Sequence, residues 1–287
     1  MAKKDSKMIP ELNTTQYQLA LSMLNLTIAI MGGASLLFIL LRGQVAPAYQ
    51  LAINLMAVVV IMAAYHYFRI YINWEASYTL KNGMYVPTGV PLNYSYRYAD
   101  WLGTVPLILS AVVLVLDLGR DKSRSLVTRL VLAAVVMICT GYVGEVERSD
   151  MTVRAIWGFI STVPFVYILF VLWSELSNAL SFESPRVQGF FNLLRWMLFA
   201  SWSFYPVVYM LPMFNLGGSA VTMAVQVGNS IADITAKAIF GLVIYAIARE
   251  KTDEAQRREQ SRMRQAVPQA QPVQPQPTQP VPNFPRL

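Results

Sequence analysis

Seven long apolar stretches divide this chain, near residues 17–41, 47–70, 98–118, 127–146, 155–175, 190–213 and 220–248, with polar and charged residues gathered between them. Most are long enough to cross the roughly 30 Å hydrocarbon core of a bilayer as helices. The pattern predicts an all-α membrane protein, a bundle of seven transmembrane helices over residues 14–250. The connection between the second and third stretches contains Leu80-Lys81-Asn82-Gly83-Met84-Tyr85-Val86. Asn-Gly between β-forming residues signals a hairpin turn, so a short two-stranded β-hairpin is expected there. A polar segment, 1–13, precedes the bundle and a basic tail, 251–287, follows it. The tail ends in AVPQAQPVQPQPTQPVPNFPRL, a Pro/Gln-rich run expected to be extended or disordered. It is too poor in apolar residues to form an enzyme module.

Composition agrees with the spans. Of 287 residues 55% are hydrophobic and 14% charged, and the mean hydropathy is +0.42. That excludes an ordinary soluble domain. The N-terminal segment carries Lys3, Lys4 and Lys7 without the pattern of a cleaved signal, so the first span is expected to remain. Cys139 is the one cysteine, which rules out an intrachain disulfide, and no spacing suggests a metal site.

With the C-terminus placed in the cytoplasm, that side holds Arg42, Arg120, Lys122, Arg124, Arg129, Arg186, Arg195, Arg249, Lys251, Arg257, Arg258, Arg262, Arg264 and Arg286, which is 14 of the 23 basic residues. The positive-inside rule then sets the N-terminus outside a plasma membrane. The +7 net charge is read as a rim facing lipid headgroups, with membrane lipids rather than nucleic acid as its partner.

The seventh stretch contains an anomaly. Lys237 stands inside the apolar run 221–248, with Asp233 one helical turn before it. An ionisable residue inside a membrane is a functional-site hypothesis by default. At i, i+4 the carboxylate and the amine share a helix face. A lysine in an apolar pocket is also the side chain that condenses with a carbonyl, so a covalently bound aldehyde is expected.

The third span opens with RYADWLGTVPL and places Arg97, Asp100 and Thr104 within two turns of its outer end. At roughly 100° per residue, Asp100, Thr104 and Ala111 fall near one face. His66, the single histidine, lies in the second span, where the helix can bring it to the depth of Asp100. Each has a duller reading, as interfacial anchor or satisfied core residue. Together, however, Lys237, Arg97, Asp100 and Asp233 make two cations and two anions, a balance by which a bilayer interior tolerates charge. Trp101, Trp202, Tyr205 and Pro206 supply aromatic and apolar walls, more often packing than pocket, yet suited to an apolar cofactor beside a buried lysine.

RYADWLGTVPL, WSFYP and IADITAKAIFGL resemble the three retinal-site motifs of the microbial (type 1) rhodopsins, over essentially the whole bundle. HYFRIYINW, TGYVGE and WGFISTVPFVYILFVLW resemble the xanthorhodopsin-like branch, which includes Gloeobacter rhodopsin. The resemblance implies all-trans retinal held by Lys237 as a protonated Schiff base, with Asp100 as primary counterion and proton acceptor and Asp233 as second counterion. It further implies Arg97 as the extracellular gate, His66 as partner of Asp100, and Trp101, Trp202, Tyr205 and Pro206 clamping the polyene.

Asp at 100 with Thr at 104 resembles the proton pumps, which implies an outward light-driven proton pump, an ion transporter rather than an enzyme, and a homo-oligomer. Two departures stand out. The family's cytoplasmic proton-donor position falls on Ala111, which cannot donate, and Asp117 faces another side of the helix. The loop before the last span, 213–218, has no glutamate. Glycine at Gly158 resembles members with a lateral window for an antenna carotenoid such as lutein or zeaxanthin; close helix packing is the plainer reading. A slow photosensor signalling through a separate partner is the alternative function, and a retinal-free solute transporter a further one.

Overall fold

A computed structural model describes residues 9–147, 149–214 and 216–266. Its helices are α1 (Thr14–Leu41), α2 (Pro47–Ser77), α3 (Ser95–Leu116), α4 (Arg120–Val146), α5 (Met151–Leu180), α6 (Pro185–Met210), α7 (Ser219–Asp233) and α8 (Phe240–Ala266). A wide π turn, Ile234–Ile239, joins the last two into one span. Among the described residues seven helical segments are long and apolar enough to cross a membrane, as the hydrophobic pattern predicts, and the chain is a multi-pass membrane protein. Helices α2 and α4 run several residues beyond their apolar stretches, and the added turns carry Glu75 in α2 and Arg120, Asp121, Lys122 and Arg124 in α4, charged residues suited to the headgroup region.

Local chemistry explains the boundaries. Asn13 caps α1 in a reciprocal box with Gln16, the Asn13 carboxamide accepting from Gln16 N–H at 2.8 Å and Gln16 Oε1 from Asn13 N–H at 3.0 Å. Asp150 Oδ1 accepts from the amides of Thr152 and Val153 at the start of α5. Proline opens α2 and α6 at their first positions, where its missing N–H costs nothing. Helix α3 stops at Asp117, which turns left-handed at φ 56°.

The expected hairpin is present, with β2 (Tyr78–Lys81) and β3 (Met84–Pro87) joined through Asn82 and Gly83 at φ 49° and 79°. Two successive positive φ values are what a two-residue hairpin turn demands. A third strand, β1 (Leu12–Asn13), adds to the free edge of β3, so the sheet has three strands in the order β1-β3-β2 rather than two. The rings of Tyr17 and Tyr85 stack beneath it at 3.7 Å.

Polarity is inverted relative to a soluble protein. Leu40, Phe159 and Phe170 stand more than two-thirds exposed, whereas Arg97, Asp100, Asp233 and Lys237 are buried. Lipid solvates the first set and only the bundle interior can satisfy the second. The chain divides into two compact units, Met1–Thr252 and Asp253–Leu287. The bundle is the first; of the second, residues 253–266 are helical and mostly exposed. The Pro/Gln-rich run after Ala266 and the lysines of the N-terminal segment lie outside the described residues.

Candidate functional site

Lys237 is carried at the middle of the π turn, 2% exposed. Its Nζ donates to Asp100 Oδ2 at 2.5 Å and lies 3.2 Å from Asp233 Oδ1. Asp100 comes from α3 and Asp233 from α7, and both carboxylates are buried. Three charges in so small a volume persist only when each is hydrogen-bonded. Tyr205 of α6 donates to Asp233 Oδ1 at 2.5 Å, and Tyr67 of α2 donates to Asp233 Oδ2 at 2.8 Å. Both oxygens of Asp233 therefore accept a hydrogen bond, the Tyr67 hydroxyl being shared with the Asn229 carbonyl at 3.0 Å. Asp100 Oδ1, by contrast, accepts no hydrogen bond among the described residues.

Arg97 is buried but touches neither carboxylate directly. Its Nη1 donates to the Tyr67 hydroxyl at 3.2 Å and its Nη2 to Gln226 Oε1 at 3.0 Å, with the guanidinium carbon 5.6 Å from the centre of the Tyr67 ring. The balanced set of two cations and two anions exists, with Tyr67 as the bridge that carries Arg97 to Asp233. His66 Nδ1 lies 3.6 Å from Asp100 Oδ1, beyond a good hydrogen bond, and 2.9 Å from the Met62 carbonyl. The histidine thus faces Asp100 without bonding it. The Thr104 hydroxyl donates to the Asp100 backbone carbonyl at 2.9 Å, not to its carboxylate.

The aromatic residues line one cavity with the lysine. Its volume is about 1300 Å³, and its walls include Trp101, Trp202, Tyr205, Pro206 and Gly158, with Lys237 and Asp233 at the inner end. Trp101 stands edge-on to Tyr205 at 5.0 Å. An apolar slot with one amine and a counter-charge at its end fits an elongated apolar aldehyde such as retinal. Gly158 is half-buried on this wall, and a Cβ built on it would come within 2.5 Å of the Tyr209 ring, so the missing side chain makes room for that tyrosine. Ala111 is buried in apolar packing, and Asp117 is exposed at the end of α3.

Several residues in the site escaped the sequence reading. Tyr67 sits beside His66 in HYF, but a tyrosine in an apolar helix is usually packing, and nothing in spacing marks its hydroxyl. Gln226 is two turns before Asp233 on α7, and that phase could have placed it near Arg97. The Glu145–Arg154 pair, at 2.6 Å and anchored by the Arg154 bond to the Tyr209 carbonyl at 3.0 Å, joins α4, α5 and α6 at the cavity mouth. A charged pair split between two spans leaves no local signature.

Known proteins carry the same architecture. Residues 18–251 match the family described as bacteriorhodopsin-like protein. The crystal structure of thermophilic rhodopsin is similar at 46% identity with a TM-score of 0.83, covering 86% of this chain and 99% of that one. Xanthorhodopsin, described as a light-driven ion pump with dual chromophore, is similar at 43% identity and a TM-score of 0.82 over the same shares. Among curated relatives, a green-light absorbing proteorhodopsin from gamma-proteobacterium EBAC31A08 is 27% identical over 234 residues, 80% of this chain and 86% of its own. The bacteriorhodopsin of Halobacterium salinarum is 34% identical over 162 residues, 55% of this chain and 59% of its own. By the extent of that match and by the fold, this chain belongs to the bacteriorhodopsin-like family, the microbial rhodopsins.

Proposed function

We propose that this protein is a light-driven outward proton pump, with all-trans retinal bound covalently at Lys237. The carrying observation is the Lys237 nitrogen held 2.5 Å from Asp100 and 3.2 Å from Asp233 at the end of an apolar slot. Bound there, retinal would supply absorption of visible light and a double bond that light can isomerise. Trp101, Trp202, Tyr205 and Pro206, which line the cavity, would hold it by apolar contact. Asp100 is the acceptor of the proton from Lys237 Nζ, because its Oδ1 is the carboxylate oxygen without a competing hydrogen bond. Asp233, saturated by two tyrosines, keeps its charge and acts as the fixed counterion. Arg97, between Tyr67 and Gln226, stands on the outward path. His66 faces the unbonded Oδ1 of Asp100 at 3.6 Å and is the side chain placed to orient that carboxylate.

The basic distribution supports a plasma-membrane protein with its N-terminus outside and its C-terminus in the cytoplasm. A homo-oligomer in lipid is the expected state. Gly158, on the cavity wall beside the lipid-exposed Phe159, supports a seat for a hydroxylated carotenoid such as lutein or zeaxanthin. Ala111 favours a second reading: without an internal carboxylate donor the return of the proton is slow, and slow recovery suits a photosensor with a separate partner. The test is expression with retinal in unbuffered cells. Illumination should acidify the medium, and a protonophore should abolish the signal. A coloured protein with no pH change would favour the sensor, and a colourless one would remove the retinal reading.

A further inference from the structure

At the end of the bundle opposite the sheet, Lys251 of α8 is buried, 8% exposed. An ammonium so placed needs partners. Its Nζ donates to the Val115 carbonyl in the last turn of α3 at 3.0 Å and lies 2.5 Å from Glu183 Oε1 in the α5–α6 connection. It also stands 5.5 Å from the centre of the Phe191 ring of α6. The Val115 carbonyl is one of those a helix end leaves without an intrahelical partner, and a cation is favoured there. One side chain of α8 therefore ties three other parts of the bundle together. The neighbouring Arg186–Glu250 pair, at 3.3 Å, has its arginine largely in solvent.

Inward of Lys251 the interior is largely apolar, Ser35 of α1 being a buried hydroxyl on that half. Ala111 and Val112 of α3, Leu194 of α6, and Ile244, Ile247 and Ala248 of α8 are all buried. None can relay a proton, so a proton returning to Lys237 from this end needs water to enter. Fourteen residues separate Lys251 from Lys237, which at about 1.5 Å per residue is too far for direct transfer.

We propose that Lys251 is a positioning residue for proton return: bound to Val115 and Glu183, it keeps water out of the apolar half of the bundle, and release of this clasp sets the rate of return. The proposal rests on the retinal reading above. Lys251→Met removes the ammonium and keeps the apolar stem, Glu183→Gln weakens the partner, and Lys251→Arg keeps a cation for both oxygens. Two measurements on the full chain in lipid nanodiscs test it. Hydrogen–deuterium exchange of the backbone at 112–120 and 183–190 needs neither retinal nor light. Dark recovery of the visible band after a flash, at one fixed pH, reads proton return.

Lys251→Met should speed both by roughly tenfold, the scale of losing one charge-assisted hydrogen bond. Glu183→Gln should move both the same way, Lys251→Arg should restore both, and the resting band should not shift. Faster exchange with unchanged recovery would make the lysine a structural clasp only and overturn the proposal; unchanged exchange would overturn it too. If Lys251→Met does not fold, Glu183→Gln decides. A chain that forms no pigment refutes the retinal reading instead, and exchange still decides whether the clasp exists.

Discussion

Lys237 is the residue on which the proposed function turns, and its two carboxylates are unequal. Asp233 accepts from Tyr205 and Tyr67, whereas Asp100 holds the lysine with one oxygen and leaves the other unbonded. The protein can therefore change the protonation of Asp100 at lower cost than that of Asp233. Asp100→Asn should stop light-driven transport and move the visible band to the red, since a negative charge beside the chromophore nitrogen stabilises the ground state most. Undiminished pumping by that variant would remove Asp100 from its role. Lys237→Ala should yield folded protein with no visible band after retinal is added; a retained band would place the attachment elsewhere. Tyr67→Phe leaves Asp233 Oδ2 and Arg97 Nη1 each one partner short. It should lower the stability of the pigment by about 1–3 kcal/mol, read as thermal bleaching.

At the scale of elements, the legible features were those with a local pattern. The Asp233–Lys237 spacing, the phase of Asp100 with Thr104, and Asn82-Gly83 each specify a geometry within a few residues. The π turn left no such trace, because apolar residues continue on both sides of Lys237 whatever the width of the turn. Strand β1 is two residues long, too short for alternation to show. The Arg97–Gln226 and Tyr67–Asp233 contacts join separate helices, and no single helix predicts its neighbour's rotation.

Helix α3 carries the main departure from the proton-pump pattern, Ala111. The dark recovery should slow as bulk pH rises and quicken with azide, because the proton arrives from outside the bundle. Ala111→Glu puts an acid on the same face as Asp100, where a local donor replaces diffusion of a scarce proton, and should shorten recovery at alkaline pH. Flash photolysis of both proteins from neutral to alkaline pH is the measurement. Fast, pH-independent recovery in the wild type would mean that another residue donates.

For the whole molecule, Gly158 decides between a sealed wall and an open one. Its missing side chain seats the Tyr209 ring, whose hydroxyl donates to the Arg154 carbonyl at 2.8 Å. A carotenoid lying along α5 and α6 would contact that ring and Phe159. Adding lutein or zeaxanthin should give induced structure in the carotenoid absorption and energy transfer to retinal, and Gly158→Trp should abolish both. Equal uptake by the two proteins would reduce the glycine to a berth for Tyr209.

A transmembrane helix is ordinarily most solid at its middle and frayed at its ends. The seventh span departs from the regular ladder at its middle, where the wide turn at Ile234–Ile239 has bonds such as the Phe240 amide shared between the carbonyls of Lys237 and Thr235. Ala236, Lys237 and Ala238 are buried within that turn, so the lysine stands where the regular ladder is interrupted. A force applied at that nitrogen would meet this irregular turn first, before the regular helices α7 and α8 on either side of it.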